Sequence, residues 1–138
     1  MAALTKKRSS RWKKAGGLDV PQKGSTTLYA GAFAVLSAGY LAPASVATGL
    51  KPAGKILNTS ANAGADGAVT CYVEFPKEKT LFPFLGDPDN LPTQANVGGS
   101  VYFLDDQTVS TLATGKTIAG TLWKLETVNS VTTFWVEV

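Results

Sequence analysis

Because the chain contains no histidine, its carboxylates are the first side chains to consider for chemistry. Asp87 and Asp89 flank a proline and precede Asn90, and these oxygen ligands could suggest a calcium loop. The segment lacks the ligand pattern and the closing glutamate of such a loop, so it is better interpreted as a proline turn. Asp105 and Asp106 suit the tip of a hairpin, and a metal there would need further ligands that the sequence does not supply.

Nucleophilic and phosphate-binding chemistry also lack their usual residues. The absence of histidine removes the usual general base and the commonest metal ligand. The single cysteine, Cys71, lies in the apolar run 69–73, which predicts a buried packing residue and not a nucleophile. The chain has no glycine-rich phosphate loop and no dinucleotide fingerprint. A carboxylate pair or a Ser–Lys catalyst stays open, but no spacing indicates one, so we expect no enzyme activity, no cofactor and no metal.

Basic residues are concentrated at the N-terminus. Residues 15–138 carry seven basic and ten acidic side chains, a net charge of −3. The other six basic residues of the chain lie within the first fourteen positions and repel one another. This predicts a flexible arm over residues 1–17, with a hinge at Gly16 and Gly17. A single β-rich domain is expected over residues 18–138. The arm residues that could contact a partner are Lys6, Lys7, Arg8, Arg11, Trp12, Lys13 and Lys14.

Three interpretations of this basic arm stay open. It could be a solvated tail without a partner. It could dock on an acidic protein surface, with Trp12 as the anchor that fills a pocket. It could also bind nucleic acid, with the cations against phosphates and Trp12 stacked on a base; this is the least favoured of the three.

The body of the chain has the composition of short strands separated by turns. Runs rich in Val, Thr, Tyr, Phe and Trp alternate with clusters of Gly, Pro, Asn and Asp, and one of the turns is expected at residues 37–39. Helical periodicity is weak, and one helical turn is expected at residues 92–97, capped by Thr93 and ended by Gly98. The pattern predicts an all-β fold, a small sandwich or barrel of short antiparallel strands. Strands are expected at residues 26–29, 32–36, 55–58, 68–75, 100–103, 108–110, 117–127 and 132–138.

The last strand has the clearest alternation. Two apolar residues, Phe134 and Val136, and the terminal Val138 would face one side of the sheet. Thr133, Trp135 and Glu137 would face the other. We expect this strand to be paired within the sheet.

The segment 76–92 combines four prolines with an apolar cluster made of Leu81, Phe82, Phe84 and Leu85. Each proline removes a hydrogen-bond donor, which argues against a central strand and predicts a loop. Such an apolar loop either folds back over the core or contacts a neighbouring subunit. The four apolar side chains are therefore candidate partner-binding residues.

No membrane contact is expected. The most apolar stretch, residues 28–41, is interrupted by glycine and serine and is too short to cross a bilayer. The basic N-terminus continues into Gly16, Gly17 and Asp19, where the apolar part of a signal peptide should begin. We expect a protein made in a reducing compartment.

Several stretches of the body resemble the small capsid cement, or head decoration, proteins of tailed bacteriophages. The resemblance covers roughly residues 24–138 as a pattern of turns and strands, and it does not extend to the basic arm or to the Phe-Pro-Phe segment. The similar stretches are GAFAVL (31–36), GYL (39–41), AGADGAVT (63–70), QANVGGSVYF (94–103), DDQTVS (105–110), AGTL (119–122) and FWVEV (134–138).

The resemblance implies a β-rich virion protein, made in the cytoplasm of the bacterial host and bound to the outside of the phage head. Its partners would be the major capsid protein and further copies of itself, with a trimer favoured over a dimer. Two alternatives are a nucleic-acid-binding β-barrel that uses the basic arm and a tail- or fibre-associated β-domain. An acidic body poor in Lys and Arg argues against the first of these.

Overall fold

The computed structural model describes residues 17–77 and 80–138, and within these ranges the chain is all-β, which confirms the predicted fold class. The arm residues before Gly17 lie outside the described residues. A 3₁₀ turn, Gln94–Asn96, stands at the position of the expected helical turn. The strands are β1 Gly17–Pro21, β2 Thr26–Leu28, β3 Phe33–Ser37, β4 Tyr40–Pro43, β5 Lys51–Ile56, β6 Ser60–Asn62, β7 Thr70–Glu74, β8 Leu81–Gly86, β9 Ser100–Phe103, β10 Thr108–Ser110, β11 Ile118–Val128 and β12 Val131–Glu137.

The first half of the described chain forms a five-stranded antiparallel sheet in the order β1-β7-β5-β3-β4. The sheet curls until Gln22, just after β1, makes an isolated parallel bridge to Leu41 of β4. A two-stranded ribbon of β2 and β6 completes this unit and places Leu28 in its core. The buried apolar residues of this core are Val20, Leu28, Ala34, Leu41, Ala53, Ile56, Cys71 and Val73.

The side chain of Gln22 is fully buried in this first unit, and it is satisfied by hydrogen bonds. The amide nitrogen of Gln22 donates to the backbone oxygens of Thr26 at 3.0 Å and Ser60 at 3.1 Å. The hydroxyl of Ser60 donates back to the Gln22 amide oxygen at 2.7 Å. Because a buried amide without partners would be costly, this network fixes the ribbon onto the sheet.

The second half of the described chain closes into a barrel in the order β10-β8-β12-β11-β9. Its strand pairs are antiparallel except for the short parallel pair of β8 and β10, which closes the ring. The apolar side chains inside it are Phe82, Phe84, Val101, Phe103, Val109, Ala119, Leu122, Phe134 and Val136.

Strand β3 is the wall that the two halves share. Its side chains alternate, so that Phe33 and Val35 pack into the barrel core while Ala34 packs into the core of the first sheet. The ring of Phe33 lies 5.3 Å from that of Phe82 and 5.4 Å from that of Phe103. A strand with both faces covered must be apolar throughout, which explains its continuous apolar run. The two halves therefore pack on one another as a sandwich.

Eight of the strands overlap those expected from the sequence, and β1, β4, β6 and β8 were not expected. The turn expected at residues 37–39 is present, with Ala38 and Gly39 at positive φ between the paired residues Ser37 and Tyr40. The returning strand β4 is only four residues long and ends at Pro43, so its local pattern is weak. Gly17, expected at the hinge, is the first residue of β1 and pairs with Glu74.

The predicted proline-rich loop is wrong where it covers β8. This strand lies between β12 and β10 in the barrel, although Pro83 is at its centre. The backbone nitrogen of Leu85 donates to the Gln107 oxygen on the β10 side at 2.7 Å. Strand alternation points the nitrogen of Pro83 to that same side, and pairing with β10 begins only at Leu85. No ladder donor is lost there, so the proline is tolerated.

Candidate partner-binding surface

The predicted arm contacts cannot be placed in this structure, because Lys6, Lys7, Arg8, Arg11, Trp12, Lys13 and Lys14 lie outside the described residues. Gly17, the first described residue, is paired with Glu74 of β7. The roles of the arm residues stay predictions.

The apolar cluster of the middle segment is divided between the two sides of β8. Phe82 and Phe84 are buried in the barrel core, where the Phe84 ring lies 6.1 Å from that of Phe103. Phe84 cannot contact a partner without unfolding the barrel, and its prediction as a partner-binding residue is wrong. Phe82 is buried in the same core, and one edge of it lines a cleft described below. Leu81 and Leu85 alternate with them and are exposed on the outside of the strand. A partner contact of these two leucines stays a prediction.

The outside of β8, β12 and β11 forms one surface, here called the barrel face and consisting of Leu81, Pro83, Leu85, Trp123 and Trp135. Pairing sets Pro83 opposite Trp135 on the neighbouring strand. Trp135 is paired in turn with Lys124 of β11. The predicted alternation of β12 is confirmed, because Phe134 and Val136 are buried and Trp135 is half-buried on the outer side.

Trp123 owes its position to a β-bulge. The register of β11 against β12 shifts between Leu122 and Lys124, so Trp123 is the additional residue. Its side chain is 49% exposed, and its indole nitrogen donates to Oε1 of Glu137 at 2.9 Å. Sequence reasoning missed this residue because the bulge interrupts the alternation of the strand. The available signal was a tryptophan near the middle of a long expected strand.

A cleft of about 400 Å³ opens at the end of the barrel face nearest the first sheet. It is here called the arm-side cleft, because its rim includes Glu74, the partner of Gly17. The lining combines apolar side chains from both halves with two lysines. The lining residues are Lys55, Glu74, Phe75, Lys77, Thr80, Leu81, Phe82, Pro83 and Trp135.

A second groove, of about 420 Å³, is bordered by Tyr29, Ala32, Asp106 and Gln107. Burial, with the neighbouring Asp105 carboxylate, raises the pKa of Asp106 above its ordinary value. The predicted hairpin tip is confirmed, since Asp105 Oδ1 accepts a hydrogen bond from the Gln107 nitrogen at 2.9 Å and β9 pairs with β10.

Asp87 stabilises the turn that follows β8. Its carboxylate accepts hydrogen bonds from the Ser110 hydroxyl at 2.8 Å and from the Asp89 nitrogen at 3.0 Å. The bond from Ser110, supported by that from Asp89, lowers the pKa of the Asp87 carboxyl below its ordinary value. The carboxylate is used within the fold, which agrees with a turn and not with an open calcium loop.

Cys71 is buried in the core of the first sheet, as expected. Burial, together with the Asp19 carboxylate, raises the pKa of its thiol above the ordinary value. Since the thiolate is the nucleophilic form, both effects lower the reactivity of this side chain.

Across residues 17–77 and 80–138, no three His, Cys, Asp or Glu side chains come together as a group that could hold a metal ion. In the same ranges, no helix has the length and apolarity needed to span a membrane. A scan against protein-family models finds no match, and searches of curated proteins and of solved structures find none either.

Proposed function

We propose that this chain is a non-enzymatic structural protein of a virion, a capsid cement protein that binds the outer surface of a tailed-phage head. There it stabilises contacts between major capsid proteins. The barrel face is the observation that carries this proposal. It presents two tryptophans, two leucines and a proline on three adjacent, paired strands.

An apolar, aromatic surface of this kind is suited to binding a protein. Large apolar side chains grouped on the outside of a monomer mark interaction sites, and tryptophan is the residue most enriched among the anchors of interfaces. The rigid strands of the barrel carry these side chains, and the bond to Glu137 holds the Trp123 ring in one orientation. A partner would therefore lose little side-chain entropy at this surface when it binds.

The charge distribution suits a lattice of acidic capsid subunits. The arm carries six positive charges next to Trp12, whereas residues 15–138 carry a net charge of −3. An extended cationic segment can reach a neighbouring subunit, so each copy would make two connected contacts. Linking two contacts raises the effective affinity of both, which is what a protein that clamps a lattice requires.

Self-association is part of the proposal, with a trimer favoured over a dimer, as in the proteins that the sequence resembles. Copies that meet around a symmetry axis of the lattice would each bind weakly and together bind firmly.

The test is binding of the purified full-length chain to phage heads that lack it, measured by co-sedimentation and by counting bound copies. We expect saturable binding that is lost when Leu85 and Trp123 are both replaced by serine. The matched control is Tyr29→Ser, which removes a 60% exposed aromatic ring away from the barrel face.

Two results would overturn the proposal. One is no binding of the wild-type chain to the heads. The other is an affinity for duplex DNA that falls steeply with salt, combined with no affinity for heads, which would favour the nucleic-acid-binding alternative.

A further inference from the structure

The two tryptophans of the barrel face differ in what their indole nitrogens bind. The nitrogen of Trp123 donates to Oε1 of Glu137 at 2.9 Å. Among the described residues, no acceptor lies within hydrogen-bond distance of the Trp135 nitrogen, and none of their buried side-chain nitrogens and oxygens lacks a partner. The Trp135 nitrogen is therefore exposed to water, and it is a donor that the fold itself does not use.

Strand pairing places Trp135 at the centre of the barrel face. It lies opposite Pro83 of β8 on one side and opposite Lys124 of β11 on the other. Leu81 and Leu85 flank Pro83 on the outside of β8, and both are exposed. The unused donor therefore lies in a surface that is largely apolar.

A partner that covers the barrel face removes water from the Trp135 nitrogen. A donor that loses its water without gaining an acceptor weakens binding, because the cost of desolvating it is not offset. The N–H group of a buried tryptophan usually has a hydrogen-bond partner for this reason. A tightly bound partner must therefore present an acceptor opposite Trp135.

The charges of the barrel face favour an uncharged acceptor. A carboxylate that is buried at an interface needs a cation beside it. In the described strands β8, β11 and β12 the one lysine is Lys124, and its ammonium group lies 3.2 Å from the carboxylate of Glu126. A carbonyl oxygen of the backbone, or of an Asn or Gln side chain, accepts a hydrogen bond without needing a cation.

We propose that Trp135 is a specificity-determining residue of the barrel face, whose indole nitrogen donates a hydrogen bond to a carbonyl oxygen of the major capsid protein. This inference rests on the proposed function and adds the chemistry of the partner surface. The two tryptophans then have different roles. Trp123, held by Glu137, contributes an oriented apolar ring, and Trp135 contributes the donor. A purely apolar surface is rejected as a partner, because it would leave this donor unpaired.

The state of the donor in the free protein is tested by NMR, as the rate at which each indole N–H proton exchanges with water. The full-length chain has three tryptophans, so single Trp→Phe variants assign the three signals. We expect the N–H of Trp135 to exchange faster than that of Trp123, because the latter is bonded to Glu137. Slower exchange at Trp135 than at Trp123 would overturn the inference.

The role in binding is tested by replacing Trp135 with 3-benzothienylalanine, which has a sulfur in place of the N–H and keeps the two fused rings. The dissociation constant for heads that lack the protein should rise about tenfold. The free energy of unfolding should not change, because the donor has no partner within the described fold. The matched control is Tyr29→Phe, which removes an exposed hydroxyl away from the barrel face and should change the affinity by less than about twofold.

Three results would overturn the inference. One is equal affinity of the benzothienylalanine variant and wild type. Another is a loss of stability that accounts for the weaker binding, since the donor would then have a partner inside the protein. The third is an effect on affinity that largely disappears at high salt, which would indicate a charged acceptor. In these cases the proposed function would survive, whereas a wild-type chain that does not bind heads would end both proposals.

Discussion

The indole nitrogen of Trp123 donates a hydrogen bond to Oε1 of Glu137 at 2.9 Å, across β11 and β12 on the outside of the barrel. Trp123 is the additional residue of the bulge, where two residues of β11 oppose one of β12, and Glu137 is paired with Thr121 just before the bulge. The bond therefore holds the exposed side chain of Trp123 in one orientation on the outside of the barrel.

Replacing Trp123 by phenylalanine removes this bond and keeps an apolar ring. Because the ring is half exposed, we expect the free energy of unfolding to change by less than about 1 kcal/mol. Affinity for heads should fall about fivefold, since the ring loses its fixed orientation. Urea denaturation and co-sedimentation measure the two quantities, with Tyr29→Phe as the control. Equal affinity of Trp123→Phe and wild type would contradict this role.

Phe33 joins the two halves of the protein, because its ring packs among those of Phe82, Phe84 and Phe103. Phe33→Ala should lower the free energy of unfolding by about 3–5 kcal/mol, since it leaves a cavity in the shared core. The midpoint of urea denaturation measures this loss. Tyr29→Ala, at an exposed position, should change the free energy by no more than about 0.5 kcal/mol. A similar effect of the two substitutions would mean that the halves do not share a core.

The parts of the fold that could be predicted are those with a local signal. The alternation of β12 identified which side chains are buried, and the glycine-containing turn at residues 37–39 identified a reversal of the chain. The continuous apolar run of β3 predicted a strand but not the two cores that it separates. Predicting the two cores would require knowing which residues pack on each face of β3, and those residues are distant in the sequence.

The largest error of the sequence-based prediction, a loop in place of β8, arises because strand pairing over long sequence distances cannot be predicted locally. Proline in β8 is acceptable only because pairing with the neighbouring β10 begins at Leu85, and no local pattern shows where such pairing begins. The candidate site was predicted in part for the same reason. Leu81 and Leu85 were identified with Phe82 and Phe84 as one cluster, and only the strand conformation separates the outer pair from the buried pair.

Leu85→Pro tests this account of β8. It removes the nitrogen donor to the Gln107 oxygen, a bond of 2.7 Å, and should lower the free energy of unfolding by about 3 kcal/mol or more. The control is Leu85→Ala, which shortens the same exposed side chain and keeps the donor, and it should cost less than about 1 kcal/mol. Thermal or urea unfolding checks both. A tolerated Leu85→Pro would mean that β8 is not paired with β10.

Asp87 gives the protein a specific sensitivity to acid. Its pKa in the folded state is lowered, so the stabilisation from its charged form is fully present above the unfolded value of about 3.9. As the pH falls from that value through the folded pKa, this stabilisation is lost. Ser110→Ala removes the hydroxyl donor and should reduce stability at pH 7 by about 1–3 kcal/mol.

Urea denaturation of wild type and Ser110→Ala between pH 2.5 and 7 would measure this dependence. The difference in free energy of unfolding between the two proteins should narrow below about pH 4. Protonation of Asp87 removes the stabilisation by its charged form in wild type, and the substitution removes it at every pH. A difference that is constant over the whole range would show that the Ser110–Asp87 bond does not depend on the charge of the carboxylate.

The basic arm should contribute to attachment through Trp12 and its flanking charges. The double substitution Arg11→Ala with Trp12→Ala removes one cation and the candidate anchor, and we expect weaker attachment to heads, measured as copies per particle at a fixed concentration. Free energy of unfolding should not change, because both residues are expected to lie in the arm and not in the β-rich domain. The control is Ala2→Ser with Ala3→Ser, at the other end of the arm.

The remaining attachment should weaken with salt, since exposed charges are screened over about 8 Å at physiological ionic strength. Unchanged occupancy of the particles would mean that the arm is a solvated tail, and would leave the barrel face as the attachment surface.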